Sequence, residues 1–163
     1  MGEAIIFCLI VGIGSTAMLD VWALLVERAT SIPRTNWGIV GRWLLGVRKG
    51  RFVLDSTDSY ASTVKERTVG WFFHYLIGIA YAAALIIFWK LDYIATPTIL
   101  PAVIVGVVVS SLAGLMILLP GLGAGFFGSK LPNQFAIFVY VIVAHIIFAA
   151  GQYGFALLNK NLV

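Results

Sequence analysis

TILPAVIVGVVVSSLAGLMILL, residues 98–119, carries no charged side chain. A helix needs about 20 apolar residues to cross the hydrocarbon core of a bilayer, and this stretch supplies them. Its proline, Pro101, falls in the first turn, where a missing N–H does little harm. Three similar stretches lie around it: Ala4 to Val26, broken only by Asp20; Val69 to Trp89, which contains His74; and Gln134 to Leu158, which contains His145 and Gln152. None alternates with a period of two, and an open sheet cannot satisfy its edges in lipid. The expected fold is therefore an all-α integral membrane protein. A four-helix transmembrane bundle forms one domain over residues 1–163, with an amphipathic interfacial segment in the long first loop.

Composition points the same way. Apolar residues make up 61% of the chain and charged residues 11%, against roughly half and a quarter in a soluble domain. The net charge of +4 is unevenly spread, because eight of the eleven Lys and Arg residues fall between Arg28 and Arg67. That places them beside the membrane segments, where anionic lipid headgroups lie. With no nucleic-acid motif alongside the charge, the expected partner is the bilayer and not a nucleic acid.

The loop 29–68 holds Arg34, Arg42, Arg48, Lys49, Arg51, Lys65 and Arg67, and Lys130 lies in a loop on the same side. Lys90 and Lys160 are the bases of the opposite side. The positive-inside tendency puts the two basic loops in the cytoplasm and both termini outside. Trp71 then marks the inner interface, and Trp89 and Tyr93 the outer one. Glu3 stands where a secretory signal would carry a base, so the first helix is expected to be retained. Cys8, the single cysteine, allows no intrachain disulfide and no thiol cluster. Within the long loop, Asn36 is placed to cap a helix over Trp37 to Val47. Trp37, Val40, Leu44 and Val47 would share one side of it and rest on the cytoplasmic leaflet. The tract Asp55 to Ser62 reads as a mobile polar connection.

Membrane helices associate through small residues that let backbones approach. Ridges at four-residue spacing are expected at Gly12 and Thr16; at Gly70, Gly78 and Ala82; at Gly106, Ser110 and Gly114; and at Ala150 and Gly154. The polar residues continue these faces: Asp20 after Gly12 and Thr16, His74 between Gly70 and Gly78, and His145 with Ala149 and Gln152. A charge at mid-bilayer costs at least about 2.5 kcal/mol, so these groups should point into the bundle. Asp20, His74, His145 and Gln152 thus form a candidate intramembrane polar site. An imidazole beside a carboxylate titrates near physiological pH, as proton relays require.

The segment 119–130 places Gly121, Gly123, Gly125 and Gly128 close together before Lys130. It reads either as a flexible connection or as an anion or headgroup cradle formed by Gly121, Gly123, Gly125, Lys130, Arg42 and Arg51. Haem ligation by His74 and His145, or a metal held with Asp20, lacks further donors, so no cofactor and no metal are expected. Ser15, Ser110 and Ser111 read as packing residues, because no base lies at an evident distance, and no catalytic residue is assigned.

The run Gly12-Ile13-Gly14-Ser15-Thr16-Ala17-Met18-Leu19-Asp20 is followed by Gly41-Arg42-Trp43, Gly50-Arg51-Phe52, Glu66-Arg67, Gly70-Trp71 and His74-Tyr75. Then come Pro120-Gly121-Leu122-Gly123-Ala124-Gly125, Pro132-Asn133 and Ala144-His145. In this order they resemble a bacterial inner-membrane family known only as a domain of unknown function. The resemblance covers nearly the whole chain and implies a small four-helix inner-membrane protein, with no activity to carry over. The tract Asp55 to Thr63 resembles the pattern least, so nothing functional is expected there. The leading expectation is a small transporter or permeation-type protein with its polar pocket in the cytoplasmic half. The alternatives are a structural or accessory subunit and a cofactor-binding redox protein. Four helices enclose little volume, so a homo-oligomer or a larger membrane complex is expected.

Overall fold

Lipid offers a backbone no hydrogen bonds, so a chain this apolar must close its own N–H and C=O groups within helices. The computed structural model describes residues 2–30, 32–55 and 60–161, and among them all regular structure is helical. Four helices are long and apolar enough to cross a membrane: Gly2–Thr30, Val64–Trp89, Ile99–Gly121 and Gln134–Lys160. They are the four spans expected, each running a few residues past its apolar run at one end or both. The second span starts early because Thr63 and Glu66 cap it, and it stops where Lys90 turns left-handed at φ 63°.

The third span departs from a uniform α-helix. It widens into π-helix at Ile104–Val109 and again at Gly114–Leu118. Ser110 N–H accordingly reaches back five residues to Val105, and Leu119 N–H to Gly114. Such π turns are rare and often mark functional positions.

The chain divides into two compact units. The first comprises Met1–Arg34, Tyr75–Ser111 and Ile142–Val163. Its apolar centre gathers Phe7, Val11, Ala82, Leu85, Tyr93, Ile94, Val105 and Ala156. Phe7 meets the Tyr93 ring edge-on at 6.1 Å. Burial pushes the Tyr93 phenol up to about 12, and its hydroxyl donates to the Thr98 carbonyl at 3.2 Å. Around this centre the helices touch at small residues, as expected of membrane packing. Gly12 faces the backbone of Gly78 and Ile79, Gly78 faces Thr16, Gly106 faces Ala149, and Gly151 faces Ser15.

The second unit comprises Thr35–His74 and Leu112–Val141. Its loop helix runs Trp37–Val47 and is capped by Asn36, whose side chain accepts from Gly38 N–H at 3.0 Å and Ile39 N–H at 3.4 Å. The helix and its cap fall where the sequence placed them. It is seated on the protein through Gly41 and also through Trp37 and Val40, which the sequence reading laid on the leaflet. A Cβ at Gly41 would strike the Glu66 carbonyl, one at Gly70 of the second span would strike the Trp37 carbonyl, and Val40 is fully buried.

One ridge is misplaced in the sequence reading. Ala150 and Gly154 face outward, and a Cβ at Gly154 would meet nothing within 4 Å. The fourth span instead buries Ala144, Phe148, Ala149, Gly151, Gln152, Ala156 and Asn159. Spacing of four identifies a face but not its direction, and the polar residues decided it. Gly41→Ala should lower thermal stability in detergent by about 1–3 kcal/mol, the usual cost of overpacking, whereas Gly154→Ala should leave it unchanged. Equal melting of the two variants would show that the loop helix is not seated through its glycines.

Candidate functional site

Arg42 sits in the middle of the loop helix, and Glu66 in the first turn of the second span. They form a buried ion pair, with Nε of Arg42 2.9 Å from Oε1 of Glu66 and Nη2 3.3 Å from Oε2. Their exposures are only 4% and 6%. The arginine also donates to the Tyr60 carbonyl at 2.9 Å and lies 3.6 Å above the Tyr60 ring. Glu66 accepts in addition from Thr63 N–H at 2.7 Å, from the Thr63 hydroxyl at 3.0 Å and from the Tyr60 hydroxyl at 3.3 Å. Thr63 Oγ1 in turn accepts Glu66 N–H at 3.2 Å. This is a reciprocal capping box, and Thr63-Val64-Lys65-Glu66 spells it in the sequence.

The sequence reading overlooked that signal because it started the span at Val69. Within the tract Asp55 to Thr63, where nothing functional was expected, Tyr60 and Thr63 have a structural part, since they hold the ion pair. Residues 56–59 of the same tract, expected to be mobile, lie outside the described residues.

In this second unit the imidazole of His74, 8% exposed, stacks on Trp37 with ring centroids 3.8 Å apart and planes at 21°. Trp71 meets it edge-on at 5.8 Å. Trp37 anchors the loop helix, so His74 forms part of that helix's seat. The glycine-rich connection is a folded turn. Gly121 lies under the Trp43 indole, and its carbonyl accepts Leu54 N–H at 2.9 Å. Gly123, at φ +82°, gives its own N–H to the Pro120 carbonyl at 2.9 Å. Gly125 turns beside Ser129 and Lys130. Of the bases considered for an anion cradle, Arg51 and Lys130 are exposed and Arg42 is bound to Glu66.

The first unit holds a different polar set, along the buried face of the fourth span. His145, Gln152 and Asn159 recur every seven residues, so they stack on one face about 10 Å apart. His145 Nδ1 lies 3.0 Å from the Ser111 hydroxyl. The sequence had offered no base for Ser111, and the fold brings one from the fourth span. Gln152 and Asn159 are each 0% exposed, and among the described residues neither carboxamide finds a hydrogen-bond partner. The Gln152 side chain lies against Gly106, inside the first π-helical stretch, where a Cβ would crowd its Oε1. Asn159 was missed in the sequence because it stands beside Lys160 at the helix end. The seven-residue spacing was the signal.

Asp20, half-buried in the first unit, accepts a 2.9 Å hydrogen bond from the Tyr75 hydroxyl. Nearby hydroxyls bond to their own helices: Ser15 to the Val11 carbonyl at 2.6 Å, Thr16 to Gly12 at 2.7 Å and Ser110 to Gly106 at 2.6 Å. Among the described residues no three His, Cys, Asp or Glu side chains gather as a metal ion would require.

Over residues 9–159 the chain matches the family described as "Protein of unknown function (DUF2938)", and it belongs to that family. No curated protein and no solved structure matches it.

Removing one partner of a buried ion pair strands the other charge and costs about 3–5 kcal/mol. Arg42→Met and Glu66→Leu should each destabilise by that order, and the double variant should recover a large part of the loss. Thermal unfolding of the three proteins in detergent measures the coupling, and simple additivity would contradict a mutual pair.

Proposed function

We propose that the protein is a small permeation-type membrane protein that conducts an uncharged hydrogen-bonding solute along the buried face of its fourth span. The observation that carries this reading is the pair of carboxamides at Gln152 and Asn159, fully buried and without a partner among the described residues. An unmet buried polar group costs about 1–3 kcal/mol. Packing alone would favour leucine at both positions, so their presence calls for a use. A carboxamide offers one acceptor and two donors with no net charge. It therefore suits water or a small neutral polar molecule better than an ion, whose charge would need compensation.

The ladder continues to His145 with Ser111, and the π-helical turn at Gly106 brings the third span against Gln152. Asp20, held by Tyr75, supplies the same unit with a carboxylate. In this reading the protein lies in a bacterial inner membrane, with the basic loop 29–68 in the cytoplasm and both termini outside. The polar ladder then opens toward the outer side, because Asn159 is one residue from the end of the fourth span.

A second reading, an accessory subunit or a self-associating protein, draws on the outward face of the fourth span. There Ala150 and Gly154 leave a small-residue stripe on which a further helix can pack. Cross-linking from that stripe separates the two: a fixed foreign partner favours the accessory role.

In proteoliposomes, stopped-flow light scattering should show water or urea permeability above that of empty vesicles. Gln152→Leu and Asn159→Leu should each reduce it at least about tenfold while folded yield stays equal or rises, because each removes an unmet polar group. Wild-type flux equal to that of empty vesicles would sink the permeation reading. A reporter fused after the C-terminus should be active only if it needs the periplasm, and cytoplasmic activity would reverse the topology.

A further inference from the structure

Directly after the loop helix the chain reads Arg48-Lys49-Gly50-Arg51-Phe52-Val53. The turn is locked by its backbone. Lys49 N–H at 2.8 Å and Arg51 N–H at 3.0 Å both reach the Gly46 carbonyl, and Gly50 N–H reaches Val47 at 2.9 Å. Gly50 stands at φ +80°, a conformation that side-chain-bearing residues avoid. Arg48, Lys49 and Arg51 are thus held together on a fixed scaffold, and all three are exposed. Phe52 and Val53 come next, 70% and 57% exposed, an apolar pair directly beside the bases, as membrane-surface segments carry.

Two further bonds fix the height of this turn. Trp43 Nε1 donates to the Phe52 carbonyl at 2.8 Å, and Leu54 N–H donates to the carbonyl of Gly121, the last residue of the third span. The end of a span lies at the boundary between hydrocarbon and headgroups. Three cations with an adjoining apolar pair, tied to that boundary, match a surface of phosphates above acyl chains.

We propose that the turn Arg48–Val53 is a docking site for anionic phospholipid, with Arg48, Lys49 and Arg51 on headgroup phosphates and Phe52 and Val53 inserted beside the acyl chains. The site is independent of the buried carboxamides and of any solute they pass. Each base near an anionic leaflet contributes a factor of about five in affinity, so losing all three should cost on the order of a hundredfold.

Native mass spectrometry of the full chain in mild detergent, titrated with phosphatidylglycerol or phosphatidylcholine, tests it. Wild type should retain phosphatidylglycerol in preference. The variant R48Q/K49Q/R51Q should lose that preference by on the order of a hundredfold, and Phe52→Ser should weaken retention of both lipids. The control K65Q/R67Q, which leaves the turn intact, should lose clearly less of that preference than the triple variant. High salt on the unmutated protein should release phosphatidylglycerol without any mutation, which keeps the test sound if a variant folds poorly. Undiminished retention by the triple variant, an equal loss in the control, or salt-insensitive retention by wild type would each overturn the proposal. Displacement of the lipid by inorganic phosphate at similar concentration would do the same, because it would mark a soluble-anion site.

Discussion

A buried hydrogen-bonding group in lipid must find its partner inside the protein, and this constraint governs the whole chain. The four spans close their backbones in helices, and the hydroxyls of Ser15, Thr16 and Ser110 return to carbonyls of their own turns. Tyr75 meets Asp20, Ser111 meets His145, and Arg42 meets Glu66. Against that background Gln152 and Asn159 are the exceptions among the described residues. Their meaning depends on the rule that these other polar side chains obey.

Within the second unit the rule is met by overdetermination. Glu66 caps its own helix through Thr63, binds Arg42 from the loop helix and accepts from Tyr60, so one carboxylate fastens three pieces of chain. The glycine contacts at Gly41 and Gly70 allow that reach, because a side chain at either would hold the helices apart. His74 adds a flat face on which Trp37 rests. The long loop is therefore tethered at its helix, and beyond it at Trp43 with Phe52 and Leu54 with Gly121.

Much of the fold was legible because apolar length and capping chemistry are local. The spans were readable as long apolar runs, and the loop helix from Asn36 and the apolar spacing of Trp37, Val40, Leu44 and Val47. The capping box at Thr63 and Glu66 was equally local but was hidden by starting the span at its first long apolar run. The site was less legible because it depends on which helix faces meet. Sequence spacing put His145 and Gln152 on one face, but it could not supply Ser111 as a neighbour or turn Ala150 and Gly154 outward. The π-helical turns of the third span leave no sequence signature that separates them from ordinary helix, yet one of them sets Gly106 against Gln152.

The central claim is that the buried face of the fourth span is a wet, polar route and not a dry packing seam. Cysteine accessibility in native membranes tests it most directly, in a Cys8→Ala background, with single cysteines replacing Gln152 and Asn159 on the inward face and Ala150 on the outward one. A wet route predicts that a small water-soluble thiol reagent modifies the inward pair and spares Ala150→Cys. Modification of neither inward position, in protein that still folds, would mean that Gln152 and Asn159 line no aqueous path.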